Sequence, residues 1–156
     1  MKNFIKMDIA EQIVRLAQPI IEAKDAYLIE LKVRGKGRNR IIEAFIDTDT
    51  GVTTDLCAEI SRELSTALDA ADIIRGPYHL IVSSPGLDRP LKFPRQYQKN
   101  IERTLLVKVL SNGAVEKIEG KLTEATTEHI TLLLKNAEQR TIPFDQIIDA
   151  RVQTIW

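Results

Sequence analysis

The sequence predicts an α+β protein of two domains, an α-β-β-α-β two-layer domain followed by a small all-β barrel. In the first half, apolar residues recur at helical spacing in two segments and at strand spacing in three. In the second half, short strand-like segments predominate. The 156 residues are 44% hydrophobic, enough for two small cores. We expect an N-terminal domain at 1–83, a linker at 84–90 and a C-terminal domain at 91–156.

The first predicted elements are a helix and a hairpin. Asp8 is a suitable N-cap for a helix that continues to about Ala23. Its apolar stripe consists of Ile9, Ile13, Leu16 or Ala17, and Ile20. Residues 26–34 and 40–47 alternate as strands on either side of a glycine-containing segment, which predicts an antiparallel hairpin.

A second helix and a third strand complete the predicted N-terminal domain. Thr53 can cap the helix, and Asp72 to Pro77 ends it. The helix has one apolar stripe, formed by Leu56, Ile60, Leu64 and Leu68. Tyr78 to Ser83 is the third strand. The order predicts two neighbouring helices on one face of a three-stranded sheet.

The C-terminal domain is predicted from short strands and their turns. Pro94 can begin a short helix to about Asn100. Strand-like segments follow at 104–110, 116–122, 129–134, 140–142 and 148–153. Turn residues lie at 111–113 and 136–138, and a single helical turn is expected at 143–147. Five short strands with one helical turn suit an SH3-like (Sm-like) barrel.

The predicted linker is a stiff connector. Pro85 and Gly86 suit the two central positions of a type II turn, where glycine supplies the positive φ. Asp88 can accept from nearby backbone amides, and Arg89 is held extended by the proline after it. The connector consists of Ser84, Pro85, Gly86, Leu87, Asp88, Arg89 and Pro90.

Composition limits the possible partners and compartment. Twenty-two basic and 22 acidic residues give no net charge, so contact with nucleic acid must depend on local clusters. The single cysteine, Cys57, excludes an internal disulfide, and no long apolar run follows the first residues. These features predict a soluble, cytoplasmic protein in a reducing compartment.

The sharpest local charge lies on the predicted hairpin. No acid occurs between Glu30 and Glu43, while five cations alternate there: Lys32, Arg34, Lys36, Arg38 and Arg40. Alternate strand residues share a face, and glycines allow backbone amides to approach a phosphate. The hairpin could therefore bind RNA phosphates. The alternative is a solvated edge whose charges prevent aggregation.

A second basic cluster begins in the linker. Its six cations, against the acids Asp88 and Glu102, are Arg89, Lys92, Arg95, Lys99, Arg103 and Lys108. Phe93 and Tyr97 lie among them and could stack on bases. Burial at the joint between the domains is the favoured interpretation, since eight aromatic residues are few for an RNA stacking platform.

Catalysis is the main competing hypothesis. Asp47 and Asp49 after a strand resemble the nucleophile loop of magnesium-dependent phosphatases, but Gly51 replaces the threonine of that pattern. Turn chemistry is the favoured role. His79 and His129 lack partners at metal spacing, and Cys57 suits a buried position. We predict no catalytic residue, metal or cofactor. A generic Sm-like RNA-binding regulator is a third hypothesis.

The linker also carries a family resemblance. Residues 83–91, Ser-Ser-Pro-Gly-Leu-Asp-Arg-Pro-Leu, resemble the linker signature of the bacterial ribosome maturation factor RimP family. Further similar segments between Asp8 and Val152 are 46–47, 51–53, 57–64 and 142–147. The resemblance implies the same two domains, binding to the free small ribosomal subunit during its maturation, and no cofactor. We expect the protein to be a monomer. Ribosomal RNA and a ribosomal protein are the implied partners, without a membrane.

Overall fold

The computed structural model describes residues 8–86 and 89–153. Tertiary contacts divide the chain into two compact units between Pro85 and Gly86, within the predicted linker. The N-terminal unit contains α1 (Ile9–Glu22), β1 (Ala26–Arg34), β2 (Arg40–Thr48), α2 (Thr54–Ala71) and β3 (Tyr78–Ser83), with a short 3-10 turn at Gly37–Asn39. The predicted α-β-β-α-β order is confirmed.

Both predicted helix caps are present. The Asp8 carboxylate accepts from the backbone N–H of Glu11 at 2.8 Å, and the Thr53 hydroxyl accepts from that of Leu56 at 3.1 Å. These side chains satisfy donors that the first helical turn leaves unpaired. The helix α2 ends at Asp72, whose φ is +52° and whose N–H donates to the Leu68 carbonyl.

The three-stranded sheet has the order β1-β2-β3. The pair β1–β2 is antiparallel, whereas β2–β3 is parallel and needs the crossover that α2 supplies. The two helices share one core with the sheet, which includes Ile13, Ala17, Ile21, Ile42, Ile46, Ile60, Leu64 and Leu68. In α1 the fully buried positions are Ile13, Ala17 and Ile21. Ile13 and the alternative Ala17 are therefore confirmed, and the stripe continues at Ile21, one residue beyond the expected Ile20.

The C-terminal unit is built on one antiparallel sheet. Its elements are α3 (Pro94–Gln98), β4 (Thr104–Ser111), β5 (Ala114–Ala125), β6 (His129–Leu133), β7 (Gln139–Pro143) and β8 (Ile147–Val152). A 3-10 turn at Phe144–Gln146 lies where the single helical turn was predicted. The strand order is β7-β6-β5-β4-β8. Within residues 89–153 no pairing joins β7 to β8, so barrel closure stays a prediction.

One ion pair shows that this sheet is strongly bent. Arg140 on β7 donates two hydrogen bonds to the Glu116 carboxylate on β5, at 2.7 and 2.8 Å. Through β6, however, Arg140 is aligned with Leu132 and hence with Leu122, six residues from Glu116. In a flat sheet six residues span about 20 Å, more than two side chains can bridge. The strand β5 must therefore curve toward β7.

Gly120 lies between Glu116 and Leu122 on the curved strand. A Cβ atom built there would lie 3.0 Å from the Leu132 Cβ and the Leu133 carbonyl oxygen. Glycine inside a strand commonly marks such a close approach or bend. The glycine therefore lets β6 pack tightly against β5 where the sheet bends.

Candidate nucleic-acid interface

The tip of the β1–β2 hairpin depends on two glycines. Gly35 and Gly37 have φ values of +77° and +60°, in the left-handed region that favours glycine. A Cβ on Gly35 would lie 2.0 Å from the Asn39 carbonyl oxygen. The Asn39 N–H in turn donates to the Lys36 carbonyl at 3.1 Å. This tight turn leaves Lys36 and Arg38 exposed on the tip.

Neighbouring acids neutralise part of the predicted cation row, one from the same strand and one from the paired strand. The Nε of Arg34 donates to the Glu43 carboxylate at 2.7 Å, and the Lys32 Nζ lies 3.9 Å from a Glu30 carboxylate oxygen. In the sequence Glu43 is nine residues from Arg34, but the antiparallel pairing places it directly opposite Lys32. The two acids that bound the row, Glu30 and Glu43, therefore contact Lys32 and Arg34, the two cations of the row that lie on β1.

Lys36 and Arg38 differ from these paired cations. Neither forms an ion pair with any residue in the ranges 8–86 and 89–153. Both side chains are exposed beside the two glycines. The tip therefore concentrates the positive charge that is available to a phosphate.

The expectation that the alternating cations share one face of the sheet is wrong for Arg40. Lys32 and Arg34 stand opposite Glu43 and Ile41, and so lie on the face away from the helices. Arg40 has the same orientation as Ile42, on the helix-bearing face, and is half-buried. The reason is that, after the register shift between Leu28 and Glu30, even-numbered residues of β1 pair with odd-numbered residues of β2. Within the part of the chain that the structure describes, the buried Arg40 Nε has no hydrogen-bond partner.

Lys92 is positioned by a glutamine that sequence reasoning missed. The backbone N–H groups of Lys92 and Phe93 both donate to the Gln96 Oε1, at 2.7 and 2.9 Å. Gln96 is buried at the start of α3, and its backbone carbonyl accepts from the Asn100 side chain. The Lys92 Nζ lies 5.4 Å from the centre of the Phe93 ring, in cation–π geometry. The sequence feature that could have indicated this contact is Pro94 at the first helical position with Gln96 at the third.

Tyr97 does not provide a stacking surface. Its side chain is 2% exposed and packs edge-on against Phe144, with ring centres 5.0 Å apart. Both rings belong to the core of the C-terminal unit. Burial raises the pKa of the Tyr97 hydroxyl well above its ordinary value. The base-stacking alternative is therefore wrong for this residue, which stabilises its own domain.

The described part of the linker includes the predicted glycine conformation. Gly86 has a φ of +71°, the positive value that a type II turn requires at its second central position. Leu87 and Asp88 lie outside the described residues, so the rest of the turn and the Asp88 hydrogen bonds stay predictions. After Pro90, the Leu91 N–H donates to the Ala150 carbonyl at 2.8 Å, which joins the chain to β8.

The loop after β2 has the geometry of a structural turn. The Asp47 carboxylate is buried and accepts from the Thr48 N–H at 2.8 Å. The Thr48 hydroxyl donates to the Gly51 carbonyl at 2.6 Å and accepts from the Gly51 N–H at 2.7 Å. Among the described residues, no three His, Cys, Asp or Glu side chains are grouped to hold a metal ion. The observed contacts favour the turn role for Asp47.

The other side chains considered for chemistry have ordinary surroundings. His129 lies 3.1 Å from the Glu124 carboxylate, and His79 is exposed on β3. Burial raises the pKa of the half-buried Cys57 thiol, which disfavours the reactive thiolate. In the described ranges, neither α1, α2 nor α3 has the length and apolar composition needed to cross a membrane.

Comparison with protein families agrees with the linker resemblance. Residues 16–88 match the family model described as the RimP N-terminal domain. The match includes the second half of α1, the whole three-stranded sheet and α2, and it extends into the linker. The basic hairpin therefore lies within the matched domain. This match confirms the resemblance noted in the linker: residues 16–88 are similar to the N-terminal domain of the RimP family of ribosome maturation factors.

Proposed function

We propose that this chain is a non-catalytic ribosome assembly factor that binds the free small ribosomal subunit and assists its maturation. The observation that carries the proposal is the RimP N-terminal domain at residues 16–88. The family implies a cytoplasmic protein whose partners are ribosomal RNA and a ribosomal protein. It also implies action without a cofactor, and we propose that the protein acts as a monomer.

The hairpin tip is the proposed centre of the RNA contact. Lys36 and Arg38 are exposed and form no ion pair with the described residues, so they can neutralise phosphates without first breaking a protein contact. Lys32 and Arg34 must exchange Glu30 and Glu43 for a phosphate. Arg40, Arg89 and Lys92 complete the proposed subunit-binding set. Phosphate contact gives affinity without sequence readout, and it weakens as salt rises.

The two domains can act together on an immature subunit. When one domain binds, the other is held at a high effective concentration near its own site. Two modest contacts would then hold neighbouring parts of the subunit in register during a late assembly step. Each contact alone is weak enough to allow release.

Sedimentation with purified ribosomal particles tests this function. We expect the protein to co-sediment with free small subunits and not with large subunits or whole ribosomes. Equal recovery with all three particles would contradict the proposal. Turnover of a phosphate ester with magnesium, abolished by Asp47→Ala, would support the phosphatase, and recovery on messenger RNA would support the regulator.

A further inference from the structure

A polar cleft lies between α2 and the edge strand β3, at the end of β3 where Tyr78 pairs with Arg40 of the basic hairpin. Its volume is about 490 Å³. One wall is formed by residues of α2 spaced four apart, and the other by residues at and before β3. The cleft is lined by Ser61, Ser65, Asp69, Gly76, Pro77, Tyr78 and Leu80.

A hydrogen-bonded acid lies at the centre of this cleft. The Tyr78 hydroxyl donates to the Asp69 carboxylate at 2.9 Å and lies 3.2 Å from the Ser65 hydroxyl. Burial raises the pKa of Tyr78, so its hydroxyl remains a donor at neutral pH. Asp69 is exposed and forms no ion pair with any residue in the described ranges. Its carboxylate can therefore accept a cation from outside the chain.

The strand beside the cleft can accept a further strand. In the sheet order β1-β2-β3, β3 pairs on one side with β2, and no strand within the described residues pairs with its other side. Alternate N–H and C=O groups of an edge strand point outward. Tyr78, Leu80 and Val82 face the helices. Every second side chain of an added strand would point toward that same face and so enter the cleft.

We propose that β3 and the cleft bind an extended segment of a partner protein, which adds as a fourth strand and places a lysine or arginine against Asp69. The six residues of β3 can pair with a segment of similar length. Main-chain hydrogen bonds would provide affinity, and the acid would provide selectivity for a basic side chain. This site does not depend on the proposed RNA contact.

The charge of the cleft favours this occupant over two others. The Asp69 carboxylate repels RNA phosphates, which disfavours RNA at this position although Arg40 of the hairpin pairs with Tyr78 beside it. A second copy of the chain could pair through its own β3, but Tyr-His-Leu-Ile-Val-Ser contains no lysine or arginine. Its one basic residue, His79, lies on the face away from the helices. A basic segment of another protein supplies the missing charge.

A titration monitored by NMR tests the site on the full-length chain. The probe is an acetylated, amidated octapeptide of alternating valine and lysine, and the control peptide has glutamate in place of lysine. We expect saturable amide shifts in β3 and around Ser61, Ser65 and Asp69 with the lysine peptide only. Absent shifts in β3 at millimolar peptide, or equal binding of the glutamate peptide, would overturn the proposal.

Two matched variants separate a specific contact from general attraction. Asp69→Asn removes the charge in the cleft, whereas Asp72→Asn makes the same change outside it, at a left-handed position that asparagine tolerates. We expect Asp69→Asn to weaken lysine-peptide binding roughly two- to fivefold, as for a partly exposed ion pair, and Asp72→Asn to leave it unchanged. Equal effects of the two variants would overturn the proposal.

Strand addition is tested by the peptide backbone and by the oligomeric state. A lysine peptide with alternate N-methylated amides cannot donate to β3, and we expect it to lose binding. Retained binding would overturn strand addition. If the protein forms concentration-dependent dimers and the peptide dissociates them, the β3 edge binds a second copy of the chain. If a short RNA displaces the peptide from the protein, the β3 edge binds nucleic acid. Either result contradicts the proposal.

Discussion

At the scale of single residues, the contacts formed by each charge decide what it can do. Lys36 and Lys32 are both lysines of the basic row, but only Lys32 has an acid within 4.0 Å among the described residues. The two residues therefore differ in the cost of binding a phosphate. Glu116 is also exposed, but its carboxylate accepts two hydrogen bonds from Arg140, so binding another cation would require these bonds to break.

Replacing Lys36 and Arg38 together by alanine should weaken small-subunit binding and flatten its salt dependence. Each lost phosphate contact should lower the slope of log K against log salt by roughly 0.7–1 unit. The matched control is Lys32→Ala with Arg34→Ala, which removes two cations already paired with acids and should change the slope less. Binding measured between 50 and 200 mM salt provides the slopes. An unchanged slope in the Lys36/Arg38 variant would show that these residues do not contact phosphates. It would support the alternative that the hairpin is a solvated edge.

Glu116→Gln should destabilise the protein at neutral pH and have less effect in acid. The hydrogen bond and charge of Arg140 lower the pKa of the Glu116 carboxyl below its ordinary value of 4.5. A lowered folded-state pKa contributes stability above 4.5, and this contribution is lost as pH falls through the folded value. Thermal unfolding at pH 7 and pH 3 checks the expectation. The control Glu119→Gln changes an exposed residue of β5 that forms no ion pair with the described residues. If the difference in melting temperature between wild type and Glu116→Gln were larger at pH 3 than at pH 7, the prediction would be wrong.

At the scale of elements, β5 determines the shape of the C-terminal sheet. This strand has 12 residues, and its first part pairs with β4 and its last part with β6. The pairing with β6 contains an irregularity between Leu122 and Glu124. Together with Gly120, this irregularity allows the bend that brings Glu116 to Arg140. The bend supports the predicted barrel, for which a strongly curved sheet is required.

Gly120→Ala should destabilise the C-terminal domain. The added Cβ would lie 3.0 Å from a backbone carbonyl oxygen and two side-chain atoms, so β5 and β6 must separate slightly. Overpacking of this kind costs about 1–3 kcal/mol, which exceeds the roughly 0.5–1 kcal/mol gained by replacing glycine within a strand. Chemical denaturation measures the change. The control Glu119→Ala alters the adjacent residue on the outer face. An equal or higher stability of Gly120→Ala would show that the bend does not need the glycine.

At the scale of the whole molecule, the proposed joint binding by two domains depends on the linker between them. The division between Pro85 and Gly86 falls beside a glycine with positive φ, and each unit has its own buried core. We therefore expect changes in the linker to affect joint binding more than the folding of either domain. A fixed angle and a flexible tether are the two possibilities that experiment can separate.

Gly86→Val should reduce small-subunit binding while leaving the melting of each domain nearly unchanged. Apart from its chain neighbours, no atom in the described ranges 8–86 and 89–153 lies within 4 Å of the position of the new Cβ. The expected strain of about 1–3 kcal/mol therefore comes from the positive φ. Gly113→Val is the matched control, since Gly113 also has positive φ and open surroundings but lies in the β4–β5 turn. Binding and solution scattering are measured together. Normal binding despite an altered scattering profile would identify the linker as a simple tether.

The sequence alone determined the elements, because the signals that define them are local. Apolar spacing, the caps at Asp8 and Thr53, and the glycine turns predicted the two helices and the strands close to their observed bounds. The motif at 83–91 predicted the family that the match at 16–88 supports. All of these features are read within a few adjacent residues, so no knowledge of distant contacts was needed.

Only the tertiary structure decided which side chains are available for function. The register of β1 and β2 brings Glu43 to Arg34 and places Arg40 on the helix-bearing face. Packing buries Tyr97, and the β3 edge meets α2 to form the cleft around Asp69. These outcomes depend on pairing between residues far apart in the chain, where a shift of one residue would reverse every face. Local sequence patterns therefore do not predict that register.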